Sequence, residues 1–523
     1  MKNWRYLRNG KVILEINLWV FCSSLFLIAG VVITSLLNLA TINSVFSDTQ
    51  AWIAINSGWF FVLLTNLILG FLLYLSISRF ASVRLGGNNA KPEFSRLSWF
   101  SMLFSAGMGI GLLFYSVAEP MYHLMKPPHG ADAFSVAAAT DAMKTTFLHW
   151  GLHAWAIYAL VGLALAYFAF NRNQPFSIRA IFEPLLGDRI NGFWGHAIDT
   201  LATLATLFGV ATSLGLGVSQ INAGLNHLFG IEESTLVQII LIILITAIAT
   251  LSVVAGLDRG IKRLSEINMV AASVLVILIL ISGPTLFILN GLVENLGAYF
   301  DNIFYLAFWN ETYTGGSWQN GWTVFYWGWW IAWSPFVGLF IARISKGRTI
   351  REFVGGVLLV PTIMTFFWLS VFGNSAIYIE LFADGKLASA VNENLSQSLF
   401  VFFAEVSSLN SSLPDIFLPF ISFLAICVVI TFFVTSSDSG SLVIDMITAG
   451  GNPNPPVVQR IFWASTEGIV AAILLVAGGL TALQTMAIAT GLPFAVILLF
   501  MIFSLHHALS QDLKQNNNSV QTL

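Results

Sequence analysis

Apolar runs long enough to cross a bilayer constrain this chain more than any other feature. Stretches of the roughly 20 residues that a helix needs to span the hydrocarbon core recur twelve times, near 16–38, 57–79, 98–118, 142–168, 196–220, 235–256, 267–289, 321–344, 352–372, 415–435, 459–480 and 483–505. With 57% hydrophobic and 9% charged residues and a mean hydropathy of +0.80, the chain lies outside the range of soluble globular proteins. The expected fold is therefore an all-α integral membrane protein with twelve transmembrane helices.

Basic residues orient those spans, because loops rich in Lys and Arg stay cytoplasmic. With both termini inside, all of the 23 Lys and Arg fall on the cytoplasmic side except Lys126, Lys144 and Lys386. Adding or dropping one span would reverse every later loop and destroy that bias. The first apolar run is too long for a signal-peptide core and is read as a retained helix. Cys22 and Cys427 both lie inside spans, so neither a disulfide framework nor a metal cluster is expected. The net charge of −3 carries no information about partners, and no nucleic-acid partner is expected.

Removing the first two spans leaves ten, which divide as five plus five. An odd number per half inverts the second half relative to the first, as in many secondary transporters. The organisation expected is a cytoplasmic arm with two additional helices over 1–97, a first inverted repeat over 98–290, an outer connecting helix over 291–320, a second repeat over 321–509 and a short cytoplasmic tail over 510–523. The amphipathic stretch "LGAYFDNIFYLAFW" in the outer connection is read as packing on the outer helix ends rather than as a lid.

Three clusters offer a small ligand something to bind. In "GWTVFYWGWWIAWSPF", residues 321–336, Tyr326, Trp329, Trp330 and Trp333 share a helical face about 100° wide. That face runs too far along the helix for an interfacial aromatic belt, which gathers at one depth, and leaves lipid-facing packing and a binding role both open. In "HWGLHAWAIY", residues 149–158, Trp150, Trp155 and Tyr158 form a second arc. Paired aromatic faces suit a quaternary ammonium group, which donates no hydrogen bond and is attracted to ring quadrupoles. His149 and His153 are four apart, but point away from Trp155 and are read as hydrogen-bonded within the bundle. In "SAGMGIGLLFYSVAEP", residues 105–120, Gly107, Gly109 and Gly111 alternate with Met108 among them. Either close helix packing or an unwound stretch lining a cavity accounts for them, and the alternate spacing favours the second.

The hydroxyl run "FFVTSSDSGS", residues 432–441, could give a hard cation oxygen ligands from Thr435 and Ser436. A cytoplasmic helix end would look the same, and the residues alone favour that reading. Glu119, at an outer helix end, is read as a cap or ion pair. A channel lacks a ring of like charges or a filter motif, and an enzyme lacks a nucleophile, metal set or cofactor motif in the spans.

Taken together, "GMGIGLLFYSVAEP", "HWGLHAWAIY" and "FYWGWWIAWSPFVGLFIARISKGRTIREF" resemble the betaine/carnitine/choline transporter family across essentially all twelve spans. The resemblance implies a secondary transporter for glycine betaine or a similar quaternary-ammonium zwitterion, working by sodium symport and alternating access. It implies no cofactor beyond sodium as the coupling ion. Trp150, Trp155, Tyr158 and Trp330 would form the aromatic box, with Trp333 on the path or at the carboxylate end and Trp329 on the permeation route. The glycine-run residues Gly107, Met108, Gly109 and Gly111 would border it. Backbone groups of Ser105, Met108 and Phe432 with the hydroxyls of Thr435 and Ser436 would hold one sodium, reversing the helix-end reading. Thr206 and Phe336 would belong to a second sodium site, in which Val210 stands where a second threonine is expected, leaving Thr203 or Thr212 as substitutes, or only one ion with defined ligands. Choline-transporting relatives tend to carry aspartate at position 111, so Gly111 fits a zwitterion. Choline, carnitine or dimethylsulfoniopropionate carried by proton coupling or exchange is the alternative. A bacterial cytoplasmic (inner) membrane location, a homotrimer and no long charged carboxy-terminal regulatory segment complete the expectation.

Overall fold

The computed structural model describes residues 3–8, 11–39, 41–107, 109–255 and 261–521. Ten of the helices among them are long and apolar enough to cross a membrane. Those at the periphery bury little of themselves: about 22% of the apolar window is buried in α1 (Leu18–Leu37). The central α7 (Phe193–Phe229) buries 94% of its window. It carries Asp199, Thr206, Gln220 and Asn222, polar groups that need partners inside the bundle because lipid offers none. The exposed large side chains of α1, such as Phe26 and Leu37, read instead as lipid-facing. α2 (Ile42–Ile77) is intermediate, with 39% of its window buried.

Two backbone interruptions separate this count from the twelve runs in the sequence. The run at 98–118 is two helices, α3 (Arg96–Gly107) and α4 (Ile110–Met125), with Gly109 extended between them at φ −139° and ψ 179°. Neither half spans by itself. The last two runs belong to one long helical stretch, α14 (Val457–Gln521), bent at Gly478 and at Gly479, whose φ is +61°. The sequence separates the spans at that same place, and the helix continues well past the expected end at 505.

A third interruption divides the run expected at 142–168 into α5 (Val136–Trp150) and α6 (Leu152–Asn171) at Gly151. Here a Cβ would stand 2.5 Å from the Phe147 carbonyl oxygen and 2.8 Å from the Phe366 ring. α8 (Thr235–Ala255) and α9 (Ile261–Ser282) follow, and the latter ends seven residues short of the end of the run expected at 267–289. The amphipathic outer connection is helix α10 (Thr285–Phe308), and it packs: Tyr299 is fully buried, 5.1 Å from Phe366 and 6.3 Å from Phe147 between ring centroids. The second half of the chain contributes α11 (Thr323–Ile344), α12 (Ile350–Leu369) and α13 (Phe417–Thr448).

Among the described residues, the amino-terminal element is not helical. Residues Trp4–Arg8 and Lys11–Ile16 form an antiparallel hairpin, where the sequence reading had only a short polar arm. It docks on the turn between α13 and α14. The Glu15 amide donates to Gln459 Oε1 at 2.5 Å, Gln459 Nε2 donates back to the Glu15 carbonyl at 3.0 Å, and the Asn17 amide donates to the Thr448 carbonyl at 2.7 Å.

The left-handed backbone at Gly479 gives a direct test of the bend. With φ +61° and ψ −149° this residue occupies a region essentially reserved for glycine, so a Cβ there costs about 1–3 kcal/mol in conformational strain, although nothing lies within 4 Å of it. Gly479→Ala is expected to lower the thermal midpoint of the purified protein. Gly30→Ala, in α1 with equally open surroundings, is expected to leave it unchanged or raise it, since alanine is the better helix former.

Candidate functional site

The aromatic helix α11 buries every side chain from Thr323 to Leu339, and its rings meet those of α5 and α6. Trp330 stands edge-to-face with Trp150 at a 4.9 Å centroid distance and with Tyr158 at 6.1 Å, and Trp155 joins through Tyr158 at 5.6 Å. Such T-shaped contacts are the favoured arrangement of ring quadrupoles. The four residues expected to form one box are therefore together. Trp150 and Trp155 lie on opposite sides of the Gly151 break, so angles measured along one continuous helix do not describe their arc.

Trp329 stacks on Trp330 at 4.8 Å and 13°, and Trp333 meets the edge of Trp329 at 6.3 Å and that of Phe336 at 5.5 Å. These two indoles lean on the glycine run. A Cβ at Gly109 would lie 3.3 Å from Trp333 Cη2; one at Gly111 would overlap the Trp329 ring and stand 3.3 Å from Trp150 Cη2. The close packing expected of the glycines is present, since they admit large rings against the backbone, and the helix is also broken at Gly109. Met108 lies outside the described residues, as do the surroundings of Gly107 at the end of α3.

Of the two readings of Glu119, a cap or an ion pair, the structure has the second: the residue pairs with His123 and His149. It is fully buried within α4. Its Oε2 accepts from Trp150 Nε1 at 2.7 Å and from the Tyr326 hydroxyl at 2.5 Å; its Oε1 is bonded by His149 Nδ1 at 2.6 Å and His123 Nε2 at 3.3 Å. His149 continues the network through Nε2 to Thr323 Oγ1 at 3.0 Å, and its carbonyl accepts from Trp330 Nε1 at 2.9 Å. The carboxylate thereby positions two rings of the site directly and a third through His149. His153 points elsewhere, to Asn66 Oδ1 at 3.2 Å, so the two histidines of α5 and α6 form no pair. The signal available in the sequence was an acid immediately after the apolar run 98–118, where a charge within the bilayer is costly without internal partners.

The expected cation ligands are only partly in view. Ser105 contributes a described backbone but no described side chain, and Met108 is outside the described residues. Phe432 and Ser436 are buried on α13, and Thr435 Oγ1 donates to the Thr431 carbonyl at 2.9 Å. At the second site Thr206 is buried and donates to Ala202, while Phe336 packs on Trp333. Of the two substitutes, Thr203 donates to Asp199, and Thr212 reaches the carbonyls of Phe208 and Leu483 at 2.8 Å each. Their protons are engaged, so only oxygen lone pairs remain to a cation.

Two further acids near α13 were not singled out from the sequence. Glu467 and Asp438 are fully buried; Ser437 Oγ donates to Glu467 Oε2 at 3.1 Å and Ser252 Oγ to Asp438 Oδ2 at 2.9 Å. The remaining oxygen of each has no hydrogen-bond partner. Glu467 Oε1 faces Val210 across Gly440, where an added Cβ would stand 3.3 Å from the carboxylate oxygen and 2.9 Å from Val210 Cγ2.

The family model for betaine/carnitine/choline transporters matches residues 19–514. The chain belongs to this family. It is 43% identical to the glycine betaine transporter OpuD of Bacillus subtilis over 95% of each chain. It is 48% identical to glycine betaine transporter 1 of Vibrio parahaemolyticus over 88% of this chain and 87% of that one. It is 44% identical to a glycine betaine transporter of Acinetobacter baylyi over 95% of this chain and 74% of that one. Among solved structures, a Na+-coupled sialic acid symporter in a substrate-bound outward-open state has a similar fold, with a TM-score of 0.51 at 16% identity over 87% of this chain and 86% of that one. Family and helices together make this a multi-pass membrane transporter, not an enzyme.

For a member of this family the Glu119 network is open to a stability test. Glu119→Ala leaves buried donors without an acceptor, each costing about 1–3 kcal/mol. Its thermal midpoint should fall further than that of Glu119→Gln, which keeps one carbonyl oxygen for Trp150 and Tyr326.

Proposed function

We propose that this protein imports glycine betaine, or a similar quaternary-ammonium zwitterion, by sodium symport with alternating access across twelve spans, two additional helices preceding two inverted five-helix repeats. The observation that carries this reading is the meeting of Trp150, Trp155, Tyr158 and Trp330 from three helices. Such a cluster attracts a diffuse cation without offering it a fixed negative charge. Several relatives named as glycine betaine transporters support the substrate class.

The opposite end of a zwitterion needs donors. The Tyr158 hydroxyl and the indole nitrogens of Trp329 and Trp333 are buried without protein partners, a state that is costly unless something pairs with them. A substrate carboxylate would do so. Gly111 supports the same choice, because any side chain there meets Trp329, leaving no room for an aspartate that would neutralise choline.

Sodium is assigned to backbone groups of Ser105, Met108 and Phe432 with the hydroxyls of Thr435 and Ser436, an all-oxygen set suited to a hard cation. Thr206 and Phe336 carry the second ion, if two are coupled. The protein is placed in the bacterial inner membrane with both termini cytoplasmic, as a homotrimer. Proton coupling is the second reading, and one observation favours it: the Glu467 oxygen that no donor satisfies.

Uptake of labelled betaine into proteoliposomes, with and without an inward sodium gradient, separates these readings. Accumulation driven by sodium is expected; accumulation driven equally well by an acid-outside gradient in sodium-free buffer would overturn the coupling. Trp330→Leu removes about 2 kcal/mol of cation–π attraction, so betaine affinity read by tryptophan fluorescence should fall roughly 30-fold, with the helical content retained.

A further inference from the structure

We propose that Glu119, His123 and His149 form a binding site for a divalent transition-metal ion of the zinc class, reached from the outer side of the protein. One ligand atom from each residue lies within 4.8 Å of the others, and all three side chains have no exposed surface. Two imidazoles and one carboxylate are a donor set that suits zinc, cobalt, nickel or copper; calcium and magnesium ask for oxygen alone.

The distances bear on how the ion would enter. Ligands at the usual zinc bond lengths of about 2.0–2.1 Å stand roughly 3.3 Å apart on a tetrahedron. The His123 Nε2 to Glu119 Oε1 separation of 3.3 Å already meets this. The His149 Nδ1 to Oε1 separation of 2.6 Å is that of a hydrogen bond, and opens once the proton between them leaves. His149 then carries its proton on Nε2, where Thr323 Oγ1 lies 3.0 Å away and can accept it. An outer hydrogen bond of this kind orients a metal-bound histidine. The fourth position would fall to water.

The placement also couples the ion to the aromatic site. Glu119 Oε2 stays with Trp150 and Tyr326, so the metal binds a carboxylate whose other oxygen holds two rings. Trp318 and Trp322 cover the trio, 4.9 Å and 4.7 Å from the His123 ring, and must move aside for the ion to enter. Glu119 makes ion pairs with histidines alone among the described residues, so a bound cation would supply charge that the network lacks.

Calorimetric titration of the detergent-purified full chain with zinc is expected to show one saturable site, absent with calcium or magnesium. Cobalt added to the same protein should give the intense visible absorption of a four-coordinate site. Thr323→Val, which keeps the three ligands but removes the outer hydrogen bond, should weaken zinc about 10–100-fold, and His123→Gln should weaken it at least as much. Thermal unfolding confirms that each variant is folded. No saturable zinc binding to the wild-type protein, a weak six-coordinate cobalt spectrum, or unchanged affinity in both folded variants would overturn the site. These readouts need no transport, so they stand apart from the assignment of substrate and coupling ion. If the site is present, zinc outside proteoliposomes should slow uptake in the wild type and lose that effect in Thr323→Val.

Discussion

A carboxylate taken into the interior of a membrane protein must find its hydrogen bonds there, because lipid offers none. Glu119 meets that demand by drawing donors from three helices, and in doing so it fixes where the aromatic site can be. Trp150 donates to it from the last residue of α5, Tyr326 from the first turn of α11, and His123 from one turn further along α4. His149 then ties its own carbonyl to the Trp330 indole. The ring faces available to a cation are thus set by a polar network behind them. An indole held by its N–H keeps its π face oriented, which a ring packed only by apolar contacts does less strictly.

The same helix imposes a steric constraint on its neighbours. A run of indoles on one side of α11 can be buried only if the facing backbone comes close, and Gly109 and Gly111 provide that approach from α4. On other faces of α11 the glycines are its own: Gly328 meets Ile488 of α14 and Gly338 meets Val161 of α6. Large rings toward the site and small residues toward the scaffold let one helix be buried on all sides at close interaxial distance. Glycine costs helical stability, and here that cost falls where α4 begins, so the break and the packing share the same residues.

Much of this was legible in the sequence because hydropathy and aromatic spacing are local signals. The apolar runs located the spans, and the alternate glycines of 107–111 pointed to a break that the backbone shows at Gly109. Clustering of Trp150, Trp155, Tyr158 and Trp330 was legible only through the family motifs, since helical angles cannot say that two separate spans face each other. The angles also misled at Gly151, where the backbone leaves the helix and a side chain would meet Phe147 and the distant Phe366. Glu119 was legible as a cap or ion pair but not its partners, because His149 and Tyr326 are 30 and 207 residues away along the chain. Orphan oxygens on Glu467 and Asp438 belong to the same class: an acid's position in a run is visible, but its lack of a donor depends on the whole bundle. The amino-terminal hairpin escaped because its anchor, Gln459, is 444 residues from Glu15.

Backbone breaks also bear on how a site this closed can admit a solute. Trp150 and Trp330 are in ring-to-ring contact at 4.9 Å, too close for a trimethylammonium group to sit between them, so a ligand must part the pair or lie against the faces beside it. Displacing a ring from the middle of a continuous helix would drag several backbone hydrogen bonds with it. The rings of the site stand instead beside interruptions: Trp150 immediately before Gly151, Trp155 in the first turn after it, and Trp333 against the extended Gly109. Motions of helical bodies concentrate their dihedral changes in a few element-terminal residues, and these are such residues. Parting the rings by pivoting α4 and α5 at their broken ends would move Glu119 and Trp150 together, away from Tyr326 and Trp330 on α11, and would open the Tyr326 bond to Glu119 and the Trp330 bond to the His149 carbonyl. On that account the hydrogen-bond network and the helix breaks serve one purpose: the first keeps the rings oriented while the second lets them move.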